Sequence, residues 1–183
     1  FQKKNQHIIN AAKEFIQNEL HLNTHNDPQI FVNDQLIKNA KAKYKIDNKV
    51  KNILLGIGGS GPTKRVPAKI FINLMKLASQ KYNCRFFLAT GKNAEEQKIL
   101  FEILNTTFKD KCYALDNLSL NEILPIIKNC DISICNDSSF SHLSSGLGIN
   151  TIVLMSDTPL LYGNYNSRMY PIIPDGENTV THN

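Results

Sequence analysis

Hydrophobic and polar residues alternate along this chain with two different periods. Short apolar runs bounded by polar or glycine-containing segments are typical of buried strands, and the stretches between them carry apolar residues at helical spacing. The predicted strands are residues 52–57, 84–89, 111–115, 131–136 and 151–155. The predicted helices between them are residues 67–82, 93–108, 119–128 and 139–148. Strict alternation of strand and helix predicts a parallel sheet covered by helices on both faces.

The segment before this alternation has a different character. Apolar residues at helical spacing predict an amphipathic helix over residues 4–20, and a short strand (30–32) and a polar helix (34–46) follow it. We therefore predict that residues 1–48 are the tail of a preceding domain plus a linker. Residues 49–183 are predicted to form a ligand-binding domain with a Rossmann-like fold, and this domain is expected to be truncated because it ends in ENTVTHN without a closing element.

The composition narrows the class of protein. Hydrophobic residues make up 42% and charged residues 20%, which is the balance of a soluble globular protein, and no apolar run approaches the ~18 residues that span a bilayer. The net charge of +5 is not gathered into a basic stripe with aromatics, so no nucleic-acid partner is expected. Four cysteines without C-x-x-C spacing favour buried free thiols in a reducing cytoplasm over a zinc site or disulfides.

The stretch GIGGSGPT (56–63) lies where the first predicted strand of the sheet ends, and ligands of such sheets bind at the carboxyl ends of strands. It fits the dinucleotide pattern G-x-G-x-x-G, which requires a helix at the third glycine and an acid after the second strand. Pro62 and Pro67 push the helix start to about residue 67, and Thr90-Gly91-Lys92 stands where the acid is needed. Pro62 also occupies the lysine position of a P-loop, so neither device is predicted.

What remains is a flexible glycine-rich loop that can approach an anionic ligand closely. A lysine ammonium in such a loop can neutralise a phosphate as a point charge. The loop is also consistent with a simple turn that carries two surface cations. Its candidate ligand-binding residues are Gly59, Ser60, Thr63, Lys64 and Arg65.

A second candidate site follows the fourth predicted strand, in the stretch CNDSSFSHL (135–143). Asp137, Ser138 and Ser139 stand at the start of a predicted helix, where side-chain oxygens can cap free amides. The same amides and the helix dipole can bind a diphosphate. His142 lies one turn further along, so its ring can share the face that looks toward the ligand.

Both segments resemble a known family. Lys64-Arg65-Val66-Pro67 looks like a K-R-W-P stretch, and NDSSFSHLSSGLG (136–148) looks like the D-[ST]-G-x-x-H-L-x-[AS]-A-L-G stretch of glycosyltransferase family 9, the ADP-heptose:lipopolysaccharide heptosyltransferases and their relatives. The order and spacing of elements also match, over about residues 50–160. The resemblance implies the C-terminal, donor-binding domain of a two-domain GT-B glycosyltransferase.

The resemblance also implies roles for individual residues. Lys64 would contact the donor diphosphate, with Ser60 assisting, and Lys64 and His142 would stabilise the leaving group without a metal or other cofactor. Glu95 stands where the family has an acid that hydrogen-bonds the ribose, and neighbouring Glu96 is an equal geometric candidate. The diphosphate and its sugar would be surrounded by Asp137, Ser138, Ser139 and His142.

The implied reaction is an inverting transfer from a nucleoside-diphosphate sugar, ADP-heptose, to lipopolysaccharide core or a related glycan. The general base of the family lies in an N-terminal domain, so this chain is expected to bind the donor without turning it over. Peripheral contact with the inner membrane would accompany such an acceptor. Val66, Ser139 and Gly146 depart from the family's tryptophan, glycine and alanine, and the bulkier Ser139 leaves the sugar open. The alternatives are a GT-B transferase or epimerase with a UDP donor, a non-catalytic nucleotide-sugar-binding module, and a flavodoxin-like phosphate binder.

Overall fold

A computed structural model of the chain describes residues 8–24, 27–156 and 160–174. The strands are β1 (Lys51–Gly56), β2 (Cys84–Ala89), β3 (Cys112–Ala114), β4 (Ile132–Asn136), β5 (Thr151–Leu154) and β6 (Met169–Ile172). The helices are α1 (Ile8–Leu20), α2 (Asp34–Lys43), α3 (Ala68–Lys81), α4 (Ala94–Leu104), α5 (Leu120–Lys128), α6 (Ser139–Gly146) and α7 (Leu160–Gly163).

The six strands form one parallel sheet in the order β3-β2-β1-β4-β5-β6. The chain moves outward from β1 to β3, then returns to the centre and continues in the other direction through β4, β5 and β6. The point where the direction reverses lies between β1 and β4, and ligands of doubly wound sheets bind in the crevice at this point. The predicted Rossmann-like α/β fold is therefore confirmed.

Two apolar layers hold the helices to the sheet, one on each face. The alternation of side chains along β1 sends Leu54 to one face and Ile53 and Leu55 to the other. The Leu54 layer includes buried residues of α2 and α5, and the opposite layer includes buried residues of α3 and α4. Because helices cover both faces of the central strands, the loops at the strand ends are where a ligand can reach the sheet.

Local signals in the sequence set several helix ends. The capping box of α5 is present: the Glu122 carboxylate accepts from the amide of Ser119 at 2.9 Å. Pro67 is the N-cap of α3, so the helix begins at Ala68, one residue after the predicted start. Asn93 is the N-cap of α4 and its side chain accepts from the Glu96 amide at 2.9 Å. The late start of α3 leaves residues 57–67 as a long loop.

Some predicted elements differ in the structure. The strand predicted at 30–32 is absent: Ile30 donates its one backbone bond to the Gly146 carbonyl at the end of α6, at 2.8 Å, and not to a neighbouring strand. The helix predicted over 93–108 ends at Leu104. The helix predicted over 34–46 ends at Lys43, because Lys45 adopts a positive φ of 50°. The predicted helix over 139–148 likewise ends at Gly146, and Gly148 has a φ of 85°.

Further differences lie at the two ends of the chain. The start of the helix predicted at 4–20 falls partly outside the described residues, and within them α1 runs Ile8–Leu20. No element was predicted after residue 155, yet α7 and β6 follow there, and β6 adds a sixth strand to the sheet. The stretch ENTVTHN, on which the expected truncation rests, lies outside the described residues. The proposed division at residue 48 stays a prediction.

The four cysteines are free, as predicted, and Cys84, Cys130 and Cys135 are buried. Burial raises the pKa of Cys112 and that of Cys135 to about 12, so these thiols stay protonated. Across the described ranges, none of the helices combines the length and apolar character that crossing a membrane requires.

Candidate functional site

The candidate site lies at the carboxyl ends of β1 and β4, where the strand order reverses. The glycine-rich loop (residues 57–67) leaves β1 here, and the junction of Asp137 and Ser138 leads from β4 into α6. Both segments singled out in the sequence therefore meet at the crevice expected of this fold.

Glu96 of α4 supports the glycine-rich loop through a buried hydrogen bond. Its side chain is buried, and one carboxylate oxygen accepts from the Gly59 amide at 2.7 Å. The other oxygen accepts from the side-chain amide of Asn93. Because both oxygens already have partners inside the protein, Glu96 acts here as a support of the loop.

Two glycines make room for that carboxylate. A Cβ atom on Gly58 would lie 2.4 Å from one oxygen of Glu96, and a Cβ on Gly91 would lie 2.3 Å from the other. At such distances the Glu96 carboxylate would have to shift, and it could not do so without disturbing its hydrogen bonds to Gly59 and Asn93. The glycines of GIGGSG and of TGK are thus needed for close packing around a buried acid.

Asn136, the last residue of β4, holds the loop at both of its ends. It is fully buried, and its side-chain amide donates to the carbonyls of Ile57 at 2.9 Å and Gly58 at 3.2 Å. Its carbonyl oxygen accepts from the Val66 amide at 3.4 Å. Sequence analysis missed this residue, and the available signal was a polar side chain at the end of a buried strand, directly before Asp137.

The two halves of the site are joined by an ion pair. The Lys64 ammonium lies 2.9 Å from the Asp137 carboxylate. The Lys64 side chain is 27% exposed and that of Asp137 is 6% exposed, so solvent reaches the cation but hardly the acid. Lys64 is thereby held over the crevice by the residue that begins the second motif.

The serines at the start of α6 do not act as the predicted caps. Ser138 is the N-cap residue, but its hydroxyl caps no amide and is buried without a hydrogen-bond partner in the structure. Ser139 is exposed at the first position of the helix. Asp137 uses its carboxylate for Lys64, so the interpretation of these side chains as helix caps is wrong.

His142 lies one turn into α6 and contacts a residue that sequence analysis did not single out. Its Nδ1 atom lies 2.7 Å from the Tyr165 hydroxyl, and the two rings stack with centroids 5.5 Å apart. Burial lowers the pKa of His142; the Asp137 carboxylate opposes this shift and the Lys64 ammonium adds to it. The lowered pKa favours the neutral imidazole at pH 7, and both partners of the ion pair lie near enough to influence it.

The remaining predicted residues lie at exposed or half-exposed positions of the loop and of α4. Ser60 and Thr63 are exposed, and the Thr63 carbonyl accepts from the Ser156 hydroxyl at 2.6 Å. Glu95 is exposed, and it lines a shallow cavity of about 260 Å³. Arg65 lines the same cavity and donates to the Gly59 carbonyl at 3.1 Å. Of the two neighbouring acids, Glu95 is thus the one with a carboxylate free to reach a ligand.

A larger cavity, of about 540 Å³, lies elsewhere. It is bounded by residues 27–31, Lys128, residues 145–148 and residues 166–168. Gly148 precedes β5 and Arg168 precedes β6, which places this cavity toward the amino ends of those strands. It is separate from the crevice where the two motifs meet. Within the described part of the chain, no cluster of three or more His, Cys, Asp or Glu side chains could hold a metal ion.

Comparison with known proteins places the chain among sugar transferases. The family model for glycosyltransferase family 9 (heptosyltransferase) matches residues 2–173. Lipopolysaccharide heptosyltransferase 1 of Campylobacter coli is 27% identical over 149 residues, which are 80% of this chain and 43% of that protein. The chain thus spans less than half the length of this relative.

Solved structures share the fold. The glycosyl transferase family 9 protein of Veillonella parvula has a TM-score of 0.76 at 16% identity, covering 94% of this chain and 50% of that one. E. coli heptosyltransferase WaaC with ADP has a TM-score of 0.71 at 16% identity, covering 94% of this chain and 52% of that one. Both likenesses support the α/β architecture described above.

Proposed function

We propose, from the fact that this chain belongs to glycosyltransferase family 9, that it binds the nucleotide-sugar donor of a heptosyltransferase. The proposed donor is ADP-heptose, and the proposed acceptor is lipopolysaccharide core or a related glycan, with inversion at the anomeric carbon. One neighbour of the same fold was solved with ADP, which makes ADP the first nucleotide to test. The protein would work in the cytoplasm and meet its acceptor at the membrane face.

The observation that carries this proposal is the 2.9 Å contact between Lys64 and Asp137. It brings the cation of the glycine-rich loop to the start of α6, at the strand ends where the order of the sheet reverses. Transfer builds up negative charge on the departing diphosphate, and a preorganised cation with nearby amides stabilises that charge. Lys64 would supply the cation, and the amides at Ser138 and Ser139 would supply donors at a helix N-terminus. We propose that no metal is needed for this stabilisation.

The general base that deprotonates the acceptor is proposed to lie outside this chain. Asp137 is paired with Lys64, and Glu96 is bonded to the loop and to Asn93. Of the predicted site acids, Glu95 alone keeps an exposed carboxylate, and we assign it to the ribose. The chain by itself is therefore expected to bind the donor without transferring the sugar.

Calorimetric titration with ADP, ADP-heptose and UDP tests the proposal. Lys64→Ala should weaken ADP binding by roughly 10- to 100-fold, because a charge-assisted hydrogen bond contributes about 1.5–3 kcal/mol. Lys76→Ala removes the same charge from an exposed position in α3 and should leave the affinity unchanged. Tighter binding of UDP than of ADP would favour the UDP-donor alternative, and absence of any nucleotide binding would overturn the site assignment.

A second variant separates binding from folding. Lys64→Ala leaves the buried Asp137 carboxylate unpaired, which is itself destabilising. The double variant Lys64→Ala with Asp137→Asn removes both charges, so its stability should recover while its ADP affinity stays low. Recovery of affinity together with stability would show that Lys64 acts only on the fold.

A further inference from the structure

The contact between His142 and Tyr165 assigns a role to a segment outside both motifs. Tyr165 lies between α7 and β6, in the part of the chain that the sequence pattern left without a predicted element. Its ring stacks on the imidazole at an interplanar angle of 15°, and its hydroxyl lies 2.7 Å from Nδ1. Stacking alone could be provided by phenylalanine, so the hydroxyl is the feature that needs an explanation.

The direction of this hydrogen bond fixes which imidazole nitrogen carries the proton. A neutral imidazole has one N–H donor and one acceptor nitrogen, and the partner of one nitrogen determines the state of the other. A phenol is a much stronger acid than a neutral imidazole N–H, so the favoured arrangement has the phenol donating to the ring nitrogen. Burial raises the pKa of Tyr165, with a smaller opposing effect from a hydrogen bond with Ser145, so the phenol keeps its proton.

We propose that Tyr165 is a positioning residue for donor binding: its hydroxyl donates to Nδ1 of His142, which leaves the proton on Nε2. Among the described residues, the hydrogen bonds of the His142 side chain involve Nδ1 alone, so Nε2 is available to a ligand. A neutral ring with its proton on Nε2 offers the diphosphate, or the sugar attached to it, an N–H donor beside Lys64. The donor-binding part of this inference rests on the proposed function.

The tautomer can be measured without any nucleotide. Long-range ¹H–¹⁵N correlation spectra of the labelled chain at pH 7.5 distinguish protonated from unprotonated ring nitrogens, and His142→Gln identifies the signals among those of the 5 histidines. The wild-type ring should be the Nε2–H tautomer, and Tyr165→Phe should raise the Nδ1–H fraction. A wild-type ring with its proton on Nδ1, or an unchanged tautomer in Tyr165→Phe, would overturn the role of Tyr165.

Nucleotide titration of the same variants tests the consequence for the donor. Tyr165→Phe should weaken ADP binding by about three- to tenfold, as expected for one lost or misdirected hydrogen bond. Tyr170→Phe, an exposed tyrosine of β6 in the same segment, should change neither the tautomer nor the affinity. A shifted tautomer with unchanged ADP affinity would refute the link to the donor. A wild-type chain that binds no nucleotide would overturn the proposed function, while the spectra still decide the role of Tyr165.

Discussion

The two connections that meet at the proposed donor site are built in opposite ways. The glycine-rich loop runs through residues 57–67 and contains no regular element of its own. Its shape depends on side chains from β4, α4 and the end of β5: Asn136, Glu96 and Ser156. The junction between β4 and α6 consists of Asp137 and Ser138 alone, so it is fixed mainly by the strand and the helix on either side, and the Asp137 amide also donates to the Leu154 carbonyl at 3.2 Å. A long loop therefore takes its geometry mainly from distant polar side chains, whereas a short junction takes it mainly from its own neighbours in sequence.

This contrast implies that residues far from the loop in sequence can control its shape without touching the ligand. Substitutions of the supporting side chains should change both the free energy of unfolding and nucleotide affinity. Substitutions of exposed residues at the loop surface should change affinity alone. Matched pairs of residues in this chain allow the two kinds of effect to be separated.

The largest effect is expected for Asn136→Ala. It removes two donated hydrogen bonds inside the core and one accepted bond from the half-buried Val66, and it takes this partner away from the carbonyls of the buried residues Ile57 and Gly58. Unpaired buried groups of this kind cost about 1–3 kcal/mol each, so we expect roughly 2–4 kcal/mol lower stability in urea unfolding. Because both ends of the loop lose their anchor, ADP affinity should also fall by about tenfold or more.

Asn52→Ala is the matched control for this variant. Asn52 is also a buried asparagine in the central part of the sheet, and its side chain donates to the carbonyls of Val50 at 2.8 Å and Asp47 at 3.2 Å. It lies at the amino end of β1, away from the crevice. It should lower stability with little change in ADP affinity. An equal loss of affinity in both variants would mean that affinity simply follows global stability.

The next effect compares the two neighbouring acids of α4. Glu96→Gln places an NH₂ group where a carboxylate oxygen now accepts, so the bonds to Gly59 and Asn93 cannot both be kept. Hydrogen bonds to charged groups contribute about 1.5–3 kcal/mol, and the stability measured in urea should fall within that range. Glu95→Gln changes an exposed group and should stay within about 0.5 kcal/mol of the wild type.

Nucleotide titration distinguishes the roles of these two acids. If Glu95 binds the ribose, 2′-deoxy-ADP and ADP should differ in affinity for the wild type but bind equally to Glu95→Gln. Glu96→Gln should weaken both nucleotides by the same factor, because it acts through the loop. A ribose-dependent loss in Glu96→Gln would contradict the supporting role that the structure gives this acid.

Most of the fold could be predicted from the sequence because the signals for strands, helices and caps lie within each element. Five of the six strands and the α5 capping box follow from periodicity and cap residues. The missed strand, β6, is a short edge strand that contains Pro171, a residue that argues against a strand except at an edge. The apolar run at 30–32 was misassigned because Ile30 packs against Gly146 of α6, a contact between distant parts of the chain.

The candidate site was predictable only in part, for a related physical reason. The positions of Lys64 and Asp137 follow from spacing after each strand, and parallel strands bring those positions to one edge. The supports of the loop do not follow in this way. Whether Glu96 or Glu95 points inward depends on how α4 lies against the loop, and the partner of His142 belongs to an element the pattern did not reveal.

The smallest effect is expected where the glycine-rich loop meets β5. The Ser156 hydroxyl donates to the Thr63 carbonyl at 2.6 Å, in a partly exposed position where water can replace it. Ser156→Ala should therefore lower stability by only about 0.5–1 kcal/mol. It should weaken ADP binding by roughly twofold, because the carbonyl that it releases belongs to the residue before Lys64.

Ser167→Ala, at an exposed position near the amino end of β6, should leave both quantities at the wild-type value. If Ser156→Ala instead weakened ADP as much as Lys64→Ala does, the loop would be held mainly from β5. Asn136 and Glu96 would then not be its principal supports.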